Sequence, residues 1–397
     1  MSEPRTLNIG LIGAGRIGSS HAELITRTVP NARLVAIADP VEGAAARLAE
    51  ALYVPAAYND IAELLADPEV EAVVITAPAR FHTELVEQVA AAGKAIFCEK
   101  PAGMTLEEID RVHRAVESHG VLFRIGFNRR FADGFPQARA AIEAGRIGTP
   151  QLLRSTTRDP GLANPGAVAP WTIFLETLIH DFDTLNFLNP AARAVQVHAV
   201  ADALVAPDFK DAGLLDTAVV TIRYDNGAIA TAEASFSAAY GYDTRAEAFG
   251  SAGMVTAGDL AASSMRYYGP EGIAAETVRA DTQSMRGAYT AELQAFTDTA
   301  LGHLSPGPGV EAARDALRIA LGCVESCRTG APVSLDPVGA TRWAASSWQR
   351  VRRCSSSTCR SSSGCAGCTR PGSRWRSGTG PPRTCPPWPP PGPGSGR

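Results

Sequence analysis

Residues 7–25 read LNIGLIGAGRIGSSHAELI, and their reading decides the fold. An apolar run of strand type turns at once into Gly13-x-Gly15-x-x-Gly18, followed by helix-forming sequence. The first glycine suits a tight turn, the second lets backbone approach a pyrophosphate, and the third lets helix pack closely on strand. Arg16 and Ile17 then open a helix whose free N–H groups and dipole favour an anion. Taken alone, GxGxxG is a weak signal; here the next strand-like run, ARLVAIAD, ends in Asp39, about 20 residues onward, where a carboxylate binds both ribose hydroxyls. An acid at that place repels a 2'-phosphate, so NAD is the expected cofactor. The bland alternative is that Asp39 merely begins a turn before Pro40.

Strand and helix patterns continue to alternate. YNDIAELLAD reads as helix, VEAVVITAP as a buried strand, FHTELVEQVAAAG as helix and KAIFCEKP as another strand. Such alternation predicts parallel pairing and an α/β, doubly wound sheet of Rossmann type over residues 1–125. Ligands in these sheets lie beyond the carboxyl ends of the strands, where Ala77, Glu99 and Lys100 fall, with His82 just after. Lys100 draws attention for a compositional reason: the chain has three lysines, at 94, 100 and 210, and otherwise uses arginine. Lysine is a compact donor that shifts its pKa readily, which arginine does not. An ordinary surface lysine is the competing reading.

The pattern changes after residue 125. QLLRSTTRD, AVQVHAVAD and TAVVTIRYDNGAIATAEASFSA are long strands, the last with Asn226-Gly227 between alternating apolar residues, a hairpin signal of type I'. AYTAELQAFTDTALGH and GVEAARDALRIALGCVESCRTG read as helices. Residues 126–340 are therefore expected to form an α+β domain with a large, mostly antiparallel, open sheet that binds substrate and supports self-association.

Composition sets outer limits. With 397 residues, 45% of them hydrophobic, the chain can bury the cores of two domains. The opening residues carry no secretory pattern and no apolar stretch reaches about 20 residues, so the expectation is a cytoplasmic protein without a membrane anchor. From 345 to 397 the composition shifts to Arg, Pro, Gly, Ser, Cys and Trp. Nine of the 37 basic residues lie there, which leaves 28 against 41 acidic ones in the preceding part, a net charge of −13 that argues against a nucleic-acid partner. Five cysteines (354, 359, 365, 368, 385) sit in this tail, but no histidine follows His303 to complete a zinc site, so no metal is expected. A segment so poor in apolar residues is expected to be disordered, and its composition is that of an out-of-frame translation of a GC-rich gene.

FLETLIHDFD, residues 174–183, places Glu176, His180 and Asp183 at helical spacing along one side. A solvated helix face is the simplest reading of that stretch alone.

Taken together, GAGRIG, EKPAG, GFNRRFAD, the helix around IHDFD, YGYDTRAEAFGSAGM and SCRTGAPVSL resemble the glucose-fructose oxidoreductase / inositol dehydrogenase (Gfo/Idh/MocA) family over residues 6–337, and within it bacterial inositol 2-dehydrogenases. The resemblance implies NAD-dependent oxidation of a cyclitol hydroxyl to a ketone, of the type that converts myo-inositol to scyllo-inosose. It implies a catalytic set of Lys100, Glu176 and His180, a polyol substrate, and a homo-oligomer, dimer or tetramer. The chemistry suits these residue types: a histidine takes the hydroxyl proton, an ammonium stabilises the developing alkoxide, and a carboxylate orients the imidazole and holds the lysine. Arg130, Asp159 and Tyr240, with Tyr242, are candidates to meet ring hydroxyls, and Trp171 to close the pocket or pack between domains; Asp183 is read as structural. Two departures stand out. Glu176 replaces the aspartate of those enzymes, and APWTIF (169–174) stands where a glycine pair usually precedes the helix. They leave the substrate open to another cyclitol, an aminocyclitol, a sugar or nucleotide-sugar; a ligand sensor without chemistry is a separate alternative, against which Lys100 and His180 together argue.

Overall fold

The computed structural model describes residues 5–162, 164–305 and 307–335. The tail at 345–397, with its cysteines and the readings attached to them, lies outside the described residues.

The first half alternates β1 (Leu7–Ile12), α1 (Arg16–Arg27), β2 (Ala32–Ala38), α2 (Ala44–Leu52), β3 (Ala56–Tyr58), α3 (Ile61–Ala66), β4 (Ala72–Ile75), α4 (His82–Ala91), β5 (Ala95–Glu99), α5 (Leu106–His119) and β6 (Phe123–Gly126). The six strands pair in parallel in the order β3-β2-β1-β4-β5-β6. Both faces are covered, which is why β4 reads as the unbroken apolar run AVVI with all four residues buried. Order reverses between β1 and β4, and the crevice beyond that switch point is where such sheets bind ligands.

The chain continues through α6 (Phe135–Glu143), β7 (Pro150–Arg158), α7 (Ile179–Leu188), β8 (Ala194–Asp202), β9 (Thr217–Tyr224), β10 (Ile229–Ser235), β11 (Asp243–Gly250) and β12 (Gly253–Ala257). A small hairpin, β13 (Tyr267–Gly269) and β14 (Gly272–Ala274), leads to α8 (Asp281–Ser284), α9 (Arg286–Ala300), α10 (Val310–Thr329) and β15 (Val333–Ser334). The second sheet runs β12-β11-β7-β10-β9-β8-β15, with β7 and β10 parallel and the other pairs antiparallel. Helices α7 and α10 pack on one face of it. The other face carries exposed Leu152, Val200, Val219, Ile229, Phe249 and Met254. Helix α9 belongs to the other layer: Tyr289, Leu293 and Phe296 join the core formed by β1, α1 and α2.

The β9–β10 hairpin differs from the type I' expectation. Gly227 has φ +89, whereas Asn226 is not among the residues with positive φ, and a type I' turn needs both. Gly227 N–H donates to Tyr224 C=O (3.1 Å) and Tyr224 N–H to Ala228 C=O (3.0 Å), the pattern of a type I turn closed by a left-handed glycine. Asn226 instead uses its side chain, Oδ1 accepting from Ala228 N–H at 3.1 Å and Nδ2 donating to Asn189 Oδ1 at 2.9 Å.

Candidate active site

The glycine loop meets the demands of a dinucleotide. Gly13 has φ +101, and a Cβ on Gly18 would collide with the Gly13 carbonyl, so both positions need glycine. Around Gly15 a Cβ would meet nothing within 4 Å, which leaves the open approach a pyrophosphate requires. Asp39, just past β2, accepts from Ala14 N–H (2.7 Å) through Oδ2 and from Val41 N–H (2.8 Å) through Oδ1. It therefore ties the turn after β2 to the glycine loop.

A cavity of about 720 Å³ opens beyond the strand ends. Its wall combines Arg16, Ile17, Ala77, His82, Glu99 and Lys100 from the first sheet's loops with Glu176, His180, Asp159 and Tyr242 from the second domain. Asn128, Arg129 and Thr157 also line it. The sequence reading passed over Arg129, although its place in GFNRRFAD beside Arg130 was a usable signal.

His82 is buried, with Nδ1 2.7 Å from Pro101 C=O and Nε2 2.7 Å from Ala77 C=O. It lies between the turn after β4 and the turn after β5, two segments of the cavity wall; burial pushes its pKa down, and the neutral ring donates to one of the two carbonyls at a time.

Lys100 closes β5, and its Nζ donates to the main-chain carbonyl of Glu176 at 2.9 Å. The local reason is a widened turn. Residues Ile173–Thr177 form a π-helical turn, with Leu178 N–H bonded to Ile173 C=O at 2.8 Å, before the α-helix resumes at Ile179. Trp171, at its start, has φ +65, a conformation natural to glycine and unusual for a bulky residue. Its indole stacks under the Arg328 guanidinium, 5.2 Å away, so Trp171 packs against α10 and does not close the pocket.

The expected carboxylate–imidazole bond between Glu176 and His180 is not formed. His180 Nδ1 is shut off from solvent without a hydrogen-bond partner, and the ring packs edge-on against Phe127, 6.2 Å between centroids. Burial, then the positive charges of Lys100 and Arg129, hold the imidazole's pKa well below its usual value. The imidazole is therefore uncharged at neutral pH.

Arg129 is fixed by a buried network: Nη1 to Asp181 Oδ1 (2.9 Å) and Nη2 to Thr157 Oγ1 (2.6 Å), while Ser155 and Thr157 hydroxyls donate to Asp181 at 2.5 and 2.7 Å. Asp159, at the end of β7, is pushed up to about 6, by burial first, with Asp281 and Asp181 adding to the shift and Arg129 and Lys100 opposing it.

Two candidates fall elsewhere. Arg130 is held bidentately by buried Asp183 (2.8 and 2.6 Å) and lies over Phe187, so the pair anchors α7 to the GFNRRF segment. Tyr240 donates to Asp243 Oδ2 (2.7 Å), which Arg245 also grips, and neither Arg130 nor Tyr240 lines the cavity. Its neighbour Tyr242 does line the cavity, and burial pushes it up to about 12.

Among the described residues no helix is long and apolar enough to cross a membrane. Residues 7–127 match a family described as an oxidoreductase family with an NAD-binding Rossmann fold, and residues 135–256 match the GFO/IDH/MocA C-terminal domain. The chain is 35% identical to an uncharacterised oxidoreductase, YrbE, of Bacillus subtilis, over 82% of this chain and 96% of that protein. It is 34% identical to a myo-inositol 2-dehydrogenase of Thermotoga maritima, over 84% and 99% of the two chains. Its fold is similar to that of scyllo-inositol dehydrogenase from Lactobacillus casei, solved with NAD(H) and scyllo-inositol, with a TM-score of 0.78, 27% identity and coverage of 83% and 99%. The glycine loop, the two sheets and these matches agree: the chain belongs to the GFO/IDH/MocA family and is an NAD-dependent oxidoreductase.

Proposed function

We propose that the protein oxidises a ring hydroxyl of a cyclitol, of the inositol class, to a ketone. The observation that carries this reading is a single cavity at the strand ends whose wall holds the cation of Lys100, the neutral imidazole of His180 and the carboxyl of Asp159. NAD, when bound, would supply the hydride acceptor, and Ala77, His82, Glu99 and Lys100, which line one side of the cavity, would hold its nicotinamide end. His180 takes the hydroxyl proton, and its depressed pKa keeps it free to do so at neutral pH. Lys100, steered by the Glu176 carbonyl, stabilises the alkoxide charge as the proton leaves. Asp159 and Tyr242 meet the remaining ring hydroxyls; a carboxyl near 6 accepts or donates as the ring requires. Relatives named for myo- and scyllo-inositol oxidation support the substrate class.

A panel of inositol isomers, aminocyclitols, sugars and nucleotide-sugars, assayed with NAD and with NADP, tests the reading. Turnover of an inositol with NAD supports it. Turnover confined to an acyclic polyol or to nucleotide-sugars removes the cyclitol, and cofactor binding without turnover on any polyol makes the protein a sensor.

We also infer that the open sheet face seats a second copy of the chain. Met254, Phe249, Leu152 and Ile229 lie opposite one another on four adjacent strands and are all exposed, an apolar row that self-pairing would cover. We also infer a cytoplasmic location, which the free thiols of Cys98, Cys323 and Cys327 among the described residues support.

A further inference from the structure

Behind the cavity wall, α1, β5 and α9 bring together His21, Glu99 and Glu292, whose ligand atoms lie within 4.8 Å of one another. Three facts distinguish the two carboxylates. Glu99 lines the cavity and is fully provided for: Oε1 faces His21 Nε2 at 2.7 Å and Oε2 accepts Lys100 N–H at 3.2 Å. Glu292 is 2% exposed, one turn beyond Tyr289 on α9, and neither of its oxygens has a hydrogen-bond partner. Among the described residues no basic side chain forms an ion pair with Glu292, whereas Glu99 has both His21 and the nearby charge of Lys100.

Two ionised carboxylates this close in a buried place repel strongly, and the group without donors is the one that takes a proton. The electrostatics agree in direction. Burial, then the negative charge of Glu99, pushes Glu292 well up. For Glu99, burial pushes the same way, but the His21 hydrogen bond and charge, with Lys100, outweigh it and hold the group below its usual value.

We propose that Glu292 is a neutral carboxylic acid that leaves Glu99 as the one negative charge of this cluster in the cavity wall, and that this charge tilts cofactor binding toward the oxidised form. The basis is simple: the oxidised nicotinamide ring is a cation and the reduced ring is neutral, so a fixed anion beside it favours the first. The proposal rests on the placement of the nicotinamide end given above. Glu292 acts through Glu99 and touches neither cofactor nor substrate; it is a positioning residue.

Two measurements test it. Infrared spectra of the intact wild-type protein at neutral pH, with and without carbon-13-labelled glutamate, should show a protonated glutamate carboxyl band that is absent in Glu292→Gln. Calorimetric titrations with NAD+ and NADH should show the NAD+ to NADH affinity ratio falling about ten- to a hundredfold in Glu99→Gln, while Glu292→Gln, an isostere of the neutral acid, keeps the wild-type ratio. A wild-type spectrum without the band overturns the assignment. So does a Glu292→Gln ratio that falls as far as that of Glu99→Gln, because Glu292 would then carry charge. An unchanged ratio in Glu99→Gln overturns the tilt. A divalent metal that stays with wild-type protein through purification and is lost in Glu292→Gln would make the cluster a cation site and overturn the proposal as well. Wild-type protein that binds neither cofactor form would overturn the placement of the nicotinamide, and with it the tilt. A wild-type spectrum without the band needs no variant, so the assignment can be overturned even if Glu292→Gln fails to fold.

Discussion

Lys100 Nζ is bonded to the main-chain carbonyl of Glu176, 2.9 Å away, and not to its carboxylate. The lysine's position therefore depends on the shape of the π-helical turn, and the residue type at 176 enters separately. If Lys100 and His180 carry the chemistry, Lys100→Met and His180→Ala each lower kcat about 10²- to 10⁴-fold in a stopped-flow assay of NADH formation. Lys100→Arg does not restore the rate, since a planar guanidinium is not a compact point donor. Glu176→Gln keeps the carbonyl and costs less, about tenfold or under, equivalent to about 1.4 kcal/mol. A Glu176→Gln rate as low as that of Lys100→Met would show that the carboxylate, not the carbonyl, sets the lysine.

The low pKa of His180 has a sign that can be checked. Positive Lys100 and Arg129 disfavour its protonated form, after burial, so if His180 is the base the acid limb of kcat/KM should lie below the usual histidine value of 6.5. Removing one positive neighbour raises the pKa, so the residual activity of Lys100→Met has its acid limb at higher pH than wild type. Stability follows the same shift: above 6.5 the imidazole is neutral folded or unfolded, and below 6.5 only the unfolded chain takes the proton, so acidification destabilises the fold. Denaturant midpoints from pH 7 to 5 should fall less steeply in His180→Ala than in wild type.

How much of this was legible in the sequence depends on which physics each residue obeys. Gly13, Gly15, Gly18 and Asp39 are readable because backbone sterics and a fixed strand–turn–helix geometry leave few other choices. The two sheets follow from periodicity in the same way. Arg130 against Asp183, and Tyr240 against Asp243, were not readable as such, because a sequence shows that a side chain is polar but not which partner claims it first. The π turn was hidden for a related reason: FLETLIHDFD has good helical spacing, and the widened turn follows Trp171, whose φ of +65 and packing against Arg328 are tertiary features. The unusual APWTIF in place of glycines was the available hint.

Arg129 and Asp181 form a buried pair, 4% and 0% exposed at their side chains, shared with Ser155 and Thr157. Truncating one partner strands the other's charge in a buried place. Arg129→Met should therefore cost about 3–5 kcal/mol in urea unfolding, while the double variant Arg129→Met/Asp181→Leu recovers a large part of that loss. Equal destabilisation in the double and single variants would mean that packing, not the stranded carboxylate, sets the cost.

The open sheet offers the last test, since a row of exposed Met254, Phe249, Leu152 and Ile229 is costly to leave in water and is flanked by polar neighbours such as Arg154 and Thr231. A charge placed in the middle of the row would be buried against its own copy across a two-fold axis, and like charges meeting there repel. Leu152→Glu should then shift the protein toward monomer in light scattering at micromolar concentration. NAD affinity should change by less than about twofold, because β7 meets the cavity at its far end, at Thr157 and Asp159, and not at Leu152. A wild-type protein that is monomeric at every concentration measured would leave the row without a partner copy and remove the oligomer from the proposed function, without touching the chemistry at Lys100 and His180.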